Sequence, residues 1–443
     1  MGKFLIRFFF LIVISAIILI LYLSFFGIKT DKFDNLIKGK ANEVNRHVKL
    51  NFQETKIHIN PKKFNLVVKL QSPKILIKNN TIDLSKLDLY LSLKSFFSSD
   101  FLLKKAEVAF VRNDIKDLAK ITNIFLPRII NKQLKKVFAK GNLEGEFNIP
   151  FDPNGDIGED YGFSGKVSDA SIILTKDFAI KNFTTEIQHG QGVEEGGFAI
   201  KITKGSLLDL ELAGTIINLK REKDKTKIKS LLHTKGKLNT FEVKKMLSLF
   251  DLNKFEFKDI DTKVDLKTNI NFYLSKRLKI KDLSYKTEGK ISSLELQTKE
   301  KKIIRRYLAN YDPKLVAKDI IVKLTKSKSK QTAELRGLIK IREKFDNFKI
   351  NEKYDYKKKN FAINGLLDLT NSEVNISRLN YKKNSGKKSQ LLFDINFNLN
   401  KNYNIKNLEL LEGNTKIKLA KLILNKNFEI IDFKNINFKT FSD

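Results

Sequence analysis

The chain has 443 residues, with 84 Lys+Arg against 50 Asp+Glu and a formal net charge of +34. The absence of cysteine excludes disulfide scaffolds, thiolate metal sites and cysteine nucleophiles, and four histidines leave little for transition-metal or triad chemistry. With 42% apolar residues the chain can bury a sizeable core, so composition points to a folded, non-enzymatic protein with no cofactor.

The first element is the uncharged 19-residue run Phe8–Phe26, FFFLIVISAIILILYLSFF. As a helix it spans about 28 Å, close to the hydrocarbon core of a bilayer. A cleaved signal has a shorter apolar stretch and a small-residue site, and Ser24-Phe25-Phe26-Gly27 offers none. Residues 1–28 are therefore expected to be a retained membrane anchor. Lys3 and Arg7 precede the run while Lys29, Lys32, Lys38 and Lys40 follow it, so charge leaves the orientation open. No second run of that length follows, which predicts a single-pass protein.

The body alternates. Leu87, Leu89, Leu91 and Leu93 are separated by Asp88, Tyr90 and Ser92, and Leu208, Leu210 and Leu212 by Asp209 and Glu211. Val264, Leu266, Ile270, Phe272 and Leu274 keep one parity, as do Phe393, Ile395, Phe397 and Leu399. This period of two predicts half-buried antiparallel strands with one apolar and one polar face. Helices are expected to be few: Asp34–Val48, a segment capped by Asn113 and running to Ala139 with a break at Pro127, the segment after Thr240, and Lys299–Tyr307. The sequence thus divides into a β segment over 29–112, a helical insert over 113–140 and a further β segment over 141–443. Strands of about six residues give roughly 20 to 25 of them. Side by side they make a sheet on the order of 100 Å long, whose apolar side needs a cover. A chain of sandwiches and a trough filled by an apolar ligand both supply one.

The remaining motifs are weak. Asp152, Asn154 and Asp156 open like a calcium loop, but Ile157 and Phe163 stand where that loop needs Gly and Glu, so a polar turn is expected. Gly190, Gly192, Gly196 and Gly197 lack the spacing of a phosphate-binding loop and predict a wide hairpin turn. His47, His58, His189 and His233 have no metal-ligand spacing. Only 11 of the basic residues are Arg, and the lysines are scattered through strands, which favours solvated faces over nucleic-acid binding.

Val68–Ile77, then Ile82–Phe97 ending in a Ser/Leu-rich turn, then Lys105–Phe110, follow one another behind the anchor. Nearer the end, Asn380–Ser389 is a lysine-containing turn ahead of the strand Leu391–Leu399. This order resembles the AsmA-like family and its YhdP-like branch. The resemblance implies a mainly β fold in which the anchor is followed by a long curved antiparallel sheet forming an open groove, with a few short amphipathic helices. It also implies an inner-membrane anchor with the body in the periplasm, and movement of phospholipids between inner and outer membranes. Leu89, Leu91, Leu210, Leu266, Phe272, Ile395 and Phe397 are the expected groove positions for acyl chains. Relatives in the wider family imply an alternative, a scaffold that assists assembly of outer-membrane proteins. YhdP-like proteins are usually much longer than this chain.

Overall fold

The structure, a computed structural model, describes residues 2–44, 48–63, 65–77, 80–97, 102–121, 138–156, 158, 160–173, 178–190, 193, 197–249, 257–277, 279–300, 312–341, 343–376, 380–398 and 401–439. They form a mainly β protein with one N-terminal apolar helix, a few short helices and a large antiparallel sheet. The chain divides into two compact units, Met1–Gly205 and Ser206–Asp443. No composition shift or linker marks that boundary in the sequence.

In the first unit the helix Gly2–Phe25 contains a stretch, Phe8–Phe25, of mean hydropathy 2.9, long and apolar enough to cross a membrane. Phe9 is 64% and Leu11 62% exposed, so protein packing does not account for their apolarity. The helix closes with the Phe26 amide donating to the Tyr22 carbonyl, and Gly27 follows at a φ of +69°, a left-handed turn that favours glycine. A Cβ there would stand 2.8 Å from both the Ile57 carbonyl oxygen and His58 Nε2. Ile28–Lys29 then pairs directly with Ile57 and Lys56.

The strands Glu54–Asn60, Asn65–Gln71, Asn80–Ser92, Leu103–Asp114, Phe138–Pro150, Gly162–Ile173 and Ala179–His189 pair antiparallel in succession. One face is covered near the N-terminal helix. The helix Asp34–Val44 brings Phe33 and Ile37 onto Ile57, Leu66, Val68, Leu87, Leu89 and Leu91. Buried Thr55 donates its hydroxyl to the Asp34 carboxylate at 2.6 Å, pinning the helix to the strand beneath.

The helix predicted from Asn113 to Ala139 is corrected. Asn113 stays in the sheet opposite Leu143, and the chain turns one residue later, where Asp114 Oδ1 accepts the Lys116 amide at 2.6 Å. The helix spans Ile115–Ile121, and a strand has begun at Phe138. Residues 122–137, with Pro127, lie outside the described residues, as do His47 and most of Lys299–Tyr307.

The second unit is a meander. The strands Lys225–Asn239, Phe257–Ser275, Ile280–Thr298, Lys314–Lys326, Lys330–Ile341, Lys344–Asp355, Asn360–Asp368, Ser389–Asn398, Tyr403–Glu412 and Thr415–Leu424 each pair antiparallel with the next. Asn435–Lys439 adds a further strand on Thr415–Leu424. The alternation Leu208–Leu212 is not one strand: Leu207 pairs with Leu210 across a tight turn, with Leu208 at a φ of +55°. Leu210 and Leu212 are both buried, so the pattern records their packing while the backbone reverses.

The helix Thr240–Leu249 is capped by Asn239 rather than Thr240. Asn239 Oδ1 accepts the Phe241 and Glu242 amides at 2.9 and 3.2 Å, and Glu242 Oε2 accepts the Asn239 amide at 2.8 Å, a reciprocal box. Thr240 instead accepts the Ile260 amide at 2.8 Å, tying the helix start to the neighbouring strand.

Candidate functional site

The register of the second unit sorts its side chains into two unlike faces. One row runs Leu266, Gly289, Val322, Leu335, Ile350, Gly365, Phe393, Leu408 and Leu419, each opposite the next on successive strands. It contains no polar side chain. The adjacent row of opposite parity runs Asp265, Lys290, Ile321, Arg336, Lys349, Leu366, Leu392, Glu409 and Lys418, a largely charged face. Gly365 lets an aromatic ring lie flat on the sheet, since a Cβ there would stand 2.5 Å from Phe393 Cζ.

The apolar face is roofed at two places among the described residues. The helix Thr240–Leu249 sets Val243 and Met246 on Leu210, Leu238 and Val264. The hairpin of Val374–Ile376 and Tyr381–Lys383 packs on Leu410 and Ile417. That hairpin is held by buried Lys383, whose ammonium donates to the Ser372 and Asn384 carbonyls at 2.7 and 2.9 Å, and burial pushes its pKa down. The resembling turn Asn380–Ser389 therefore carries a structural lysine.

Elsewhere Leu266, Leu335, Ile350, Phe393, Leu408 and Leu419 are partly buried, neither sealed nor free. Register shifts at Lys263/Val264, Asn271/Tyr273, Lys318/Ile321 and Asp394/Ile395 supply the bending that bulges impose on strands.

One margin of this face is aromatic. Tyr354 packs on Phe361 at 4.3 Å between ring centres, Phe361 stacks on Phe397 at 5.0 Å, Phe397 meets Tyr403 at 5.2 Å, and Tyr403 stacks on Phe428 at 4.9 Å. Beside them Tyr285 and Tyr356 donate their hydroxyls to Gln331 Oε1 at 3.5 and 3.1 Å. Burial pushes the Tyr356 hydroxyl up to about 12, and it raises the pKa of Glu352 on the same face. Sequence reasoning missed this margin. Its trace is Tyr354-Asp-Tyr356 and Phe361, aromatic residues close together at the end of one strand and the start of the next.

The expected groove positions separate into three groups. Leu266, Phe272, Ile395 and Phe397 share the apolar face, with Phe272 opposite Ile228 and Ile395 opposite Ile363. Leu210 lies under the helix Thr240–Leu249 at 3% exposure. Leu89 and Leu91, at 7% and 0%, lie in the core of the first unit with Phe33 and Ile37.

The polar face of the first unit holds an ionic network. Lys86 Nζ bridges Glu107, Asp88 and Glu146, and Lys105 Nζ lies 2.7 Å from Glu107 Oε1. Burial alone would raise the Glu107 carboxyl, but hydrogen bonds from Lys105 and Lys86 outweigh it and bring the group down to about 2. A carboxyl depressed on folding stabilises above its unfolded range and loses that contribution as pH falls toward its folded value. The first unit is therefore expected to loosen between about pH 4.5 and pH 2. Amide exchange across Asn80–Ser92 during an acid titration checks this, and Glu107→Gln should flatten the dependence over that interval.

The other motifs are local. Asp152 Oδ1 accepts the Asn154 and Asp156 amides at 2.9 Å each, which makes that segment a side-chain-closed turn. His189 sits between Tyr161 and Phe198, each 4.4 Å away by ring centres, and His233 Nε2 is 3.0 Å from Asp265 Oδ1. No group of three metal-ligating side chains comes together among the described residues. No protein-family model, curated protein or solved structure matches this chain.

Proposed function

We propose that this chain is a membrane-anchored carrier that moves phospholipids along the apolar face of its second unit. The supporting observation is the row from Leu266 to Leu419, apolar across nine strands and roofed only locally among the described residues. Moving an acyl chain from a bilayer into water costs about 0.8 kcal/mol per CH₂. A track of leucine, isoleucine and phenylalanine removes most of that barrier without a reacting side chain. The aromatic margin suits the headgroup boundary, because tyrosine joins an apolar body to a polar tip. With the resemblance to AsmA-like proteins, this reading puts the anchor in a bacterial inner membrane and the body in the periplasm, with lipid passing between inner and outer membranes.

A photocrosslinking residue at Phe272 or Phe397 in intact cells is expected to capture phospholipid, while the same residue at Lys267, on the polar face, is not. Capture of protein alone at both apolar positions would refute the carrier reading. One observation favours a second reading, a scaffold for outer-membrane proteins that recruits strands to a sheet edge. All five residues of Asn435–Lys439 are exposed, and among the described residues that strand pairs on one side only. Copurified barrel proteins in place of lipid would select it.

A further inference from the structure

Glu352 is an acid on the apolar face of the second unit, with Ala333 and Ile363 as its cross-strand neighbours. Its carboxyl is held by the Gln331 side chain, while Oε1 is shielded from solvent and has no hydrogen-bond partner. Shielding a carboxylate oxygen without a hydrogen bond is costly, and the Gln331 contact offsets only part of that cost. Among the described residues no lysine or arginine neutralises it.

The surrounding groups are those that attract an organic ammonium ion. Tyr354 meets Tyr356 edge-on at 4.8 Å and Phe361 at 4.3 Å, placing aromatic rings beside the acid. A base stands in the same cluster without pairing to Glu352: the Lys326 ammonium lies 5.1 Å from the Tyr356 ring centre and 5.7 Å from that of Tyr285. An acid and a base held apart among aromatic rings match a zwitterion.

Resting on the carrier reading, we propose that Glu352, Lys326 and the tyrosines around Gln331 form a headgroup station for phospholipids bearing a primary amine. The ammonium binds Glu352 and the phosphate binds Lys326. The orphaned Oε1 sets the choice within zwitterions, because a primary ammonium donates a hydrogen bond to it and a trimethylammonium does not.

The test uses the full chain in nanodiscs of phosphatidylglycerol, titrated calorimetrically with dihexanoyl phosphatidylethanolamine, phosphatidylcholine or phosphatidylglycerol. Phosphorylethanolamine, a headgroup without tails, is a fourth probe. The ethanolamine lipid is expected to bind about tenfold tighter than the other two, a ratio within what one hydrogen bond from the ammonium to a charged acceptor supports. Glu352→Gln should erase that preference while tail-driven binding of all three lipids persists. Tyr354→Leu, which leaves the carboxylate in place, should reduce the preference for the ethanolamine lipid over phosphatidylglycerol, which has no ammonium, and carries the test if the first variant unfolds. Phosphorylethanolamine binding as tightly as the lipid would assign the site to a free amine and overturn the lipid station. Equal binding of the three lipids to the unaltered chain, or a preference that survives both substitutions, would also overturn it. Binding of none of them would refute the carrier reading itself.

Discussion

Glu in place of both Phe272 and Ile395 is expected to stop lipid transfer while the protein stays folded. The two residues lie on the apolar face at separate strands and are partly buried, so a longer polar side chain there can reach water at modest cost. A passing acyl chain has no such freedom, because it must lie against a charged group that keeps its own water. A penalty of about 3 kcal/mol for that contact slows transfer roughly a hundredfold. Dequenching of a fluorescent lipid, moved between vesicles by the reconstituted chain, measures the rate. Gln in place of Lys267 and Lys349 shifts the net charge by the same two units on the polar face and should leave the rate near that of the unaltered protein. Equal loss from both pairs would mean that the charged face carries the activity and the apolar one does not.

Leu91→Ala should act in the opposite sense, on the fold and not on transfer. Leu91 is fully enclosed, packed with Leu66, Val68 and Phe33, and truncating such a residue costs about 3 kcal/mol through lost burial and the cavity left behind. Denaturant melts of the first unit should report that loss, whereas Phe397→Ala, at the partly open aromatic margin, should cost about half as much. Transfer by the folded fraction of Leu91→Ala should match the unaltered chain. Abolished transfer with unchanged stability would place Leu91 on the lipid path and remove it from the core.

These two residues show what alternation can and cannot tell. Leu91 and Phe272 have the same period-two neighbourhood, and both do occupy the apolar side of a strand. The difference between them is a cover. Phe33 and Ile37 come from the start of a separate helix and the turn before it, more than 50 positions before Leu91, and no local pattern announces that they fold over it. The long strand Phe257–Ser275 was legible because Val264 through Leu274 hold one parity, even though bulges interrupt its pairing. The turn at Leu208 was not, since leucine at a left-handed φ is forced by packing on both sides and contradicts its own preference. Caps shifted by one residue, from Asn113 to Asp114 and from Thr240 to Asn239, because in both places the last paired residue of the strand, opposite Asn142 or Asp261, is also the one whose side chain accepts the first helix amides. Glu352 escaped notice for a plainer reason: in the sequence it looks like any charged residue between polar neighbours, and only the register turns it toward the apolar side.

The way the N-terminal apolar helix joins the first unit has a mechanical consequence. Between the last turn of the helix and the first paired residue there are only Phe26 and Gly27, and Gly27 is wedged against Ile57 and His58. A flexible tether would let the body swivel beneath the bilayer. With the helix seated in a bilayer, as proposed above, this joint acts as a crank, so leaning or rotating the helix to suit a thinner or thicker bilayer turns the first strands by a matching angle.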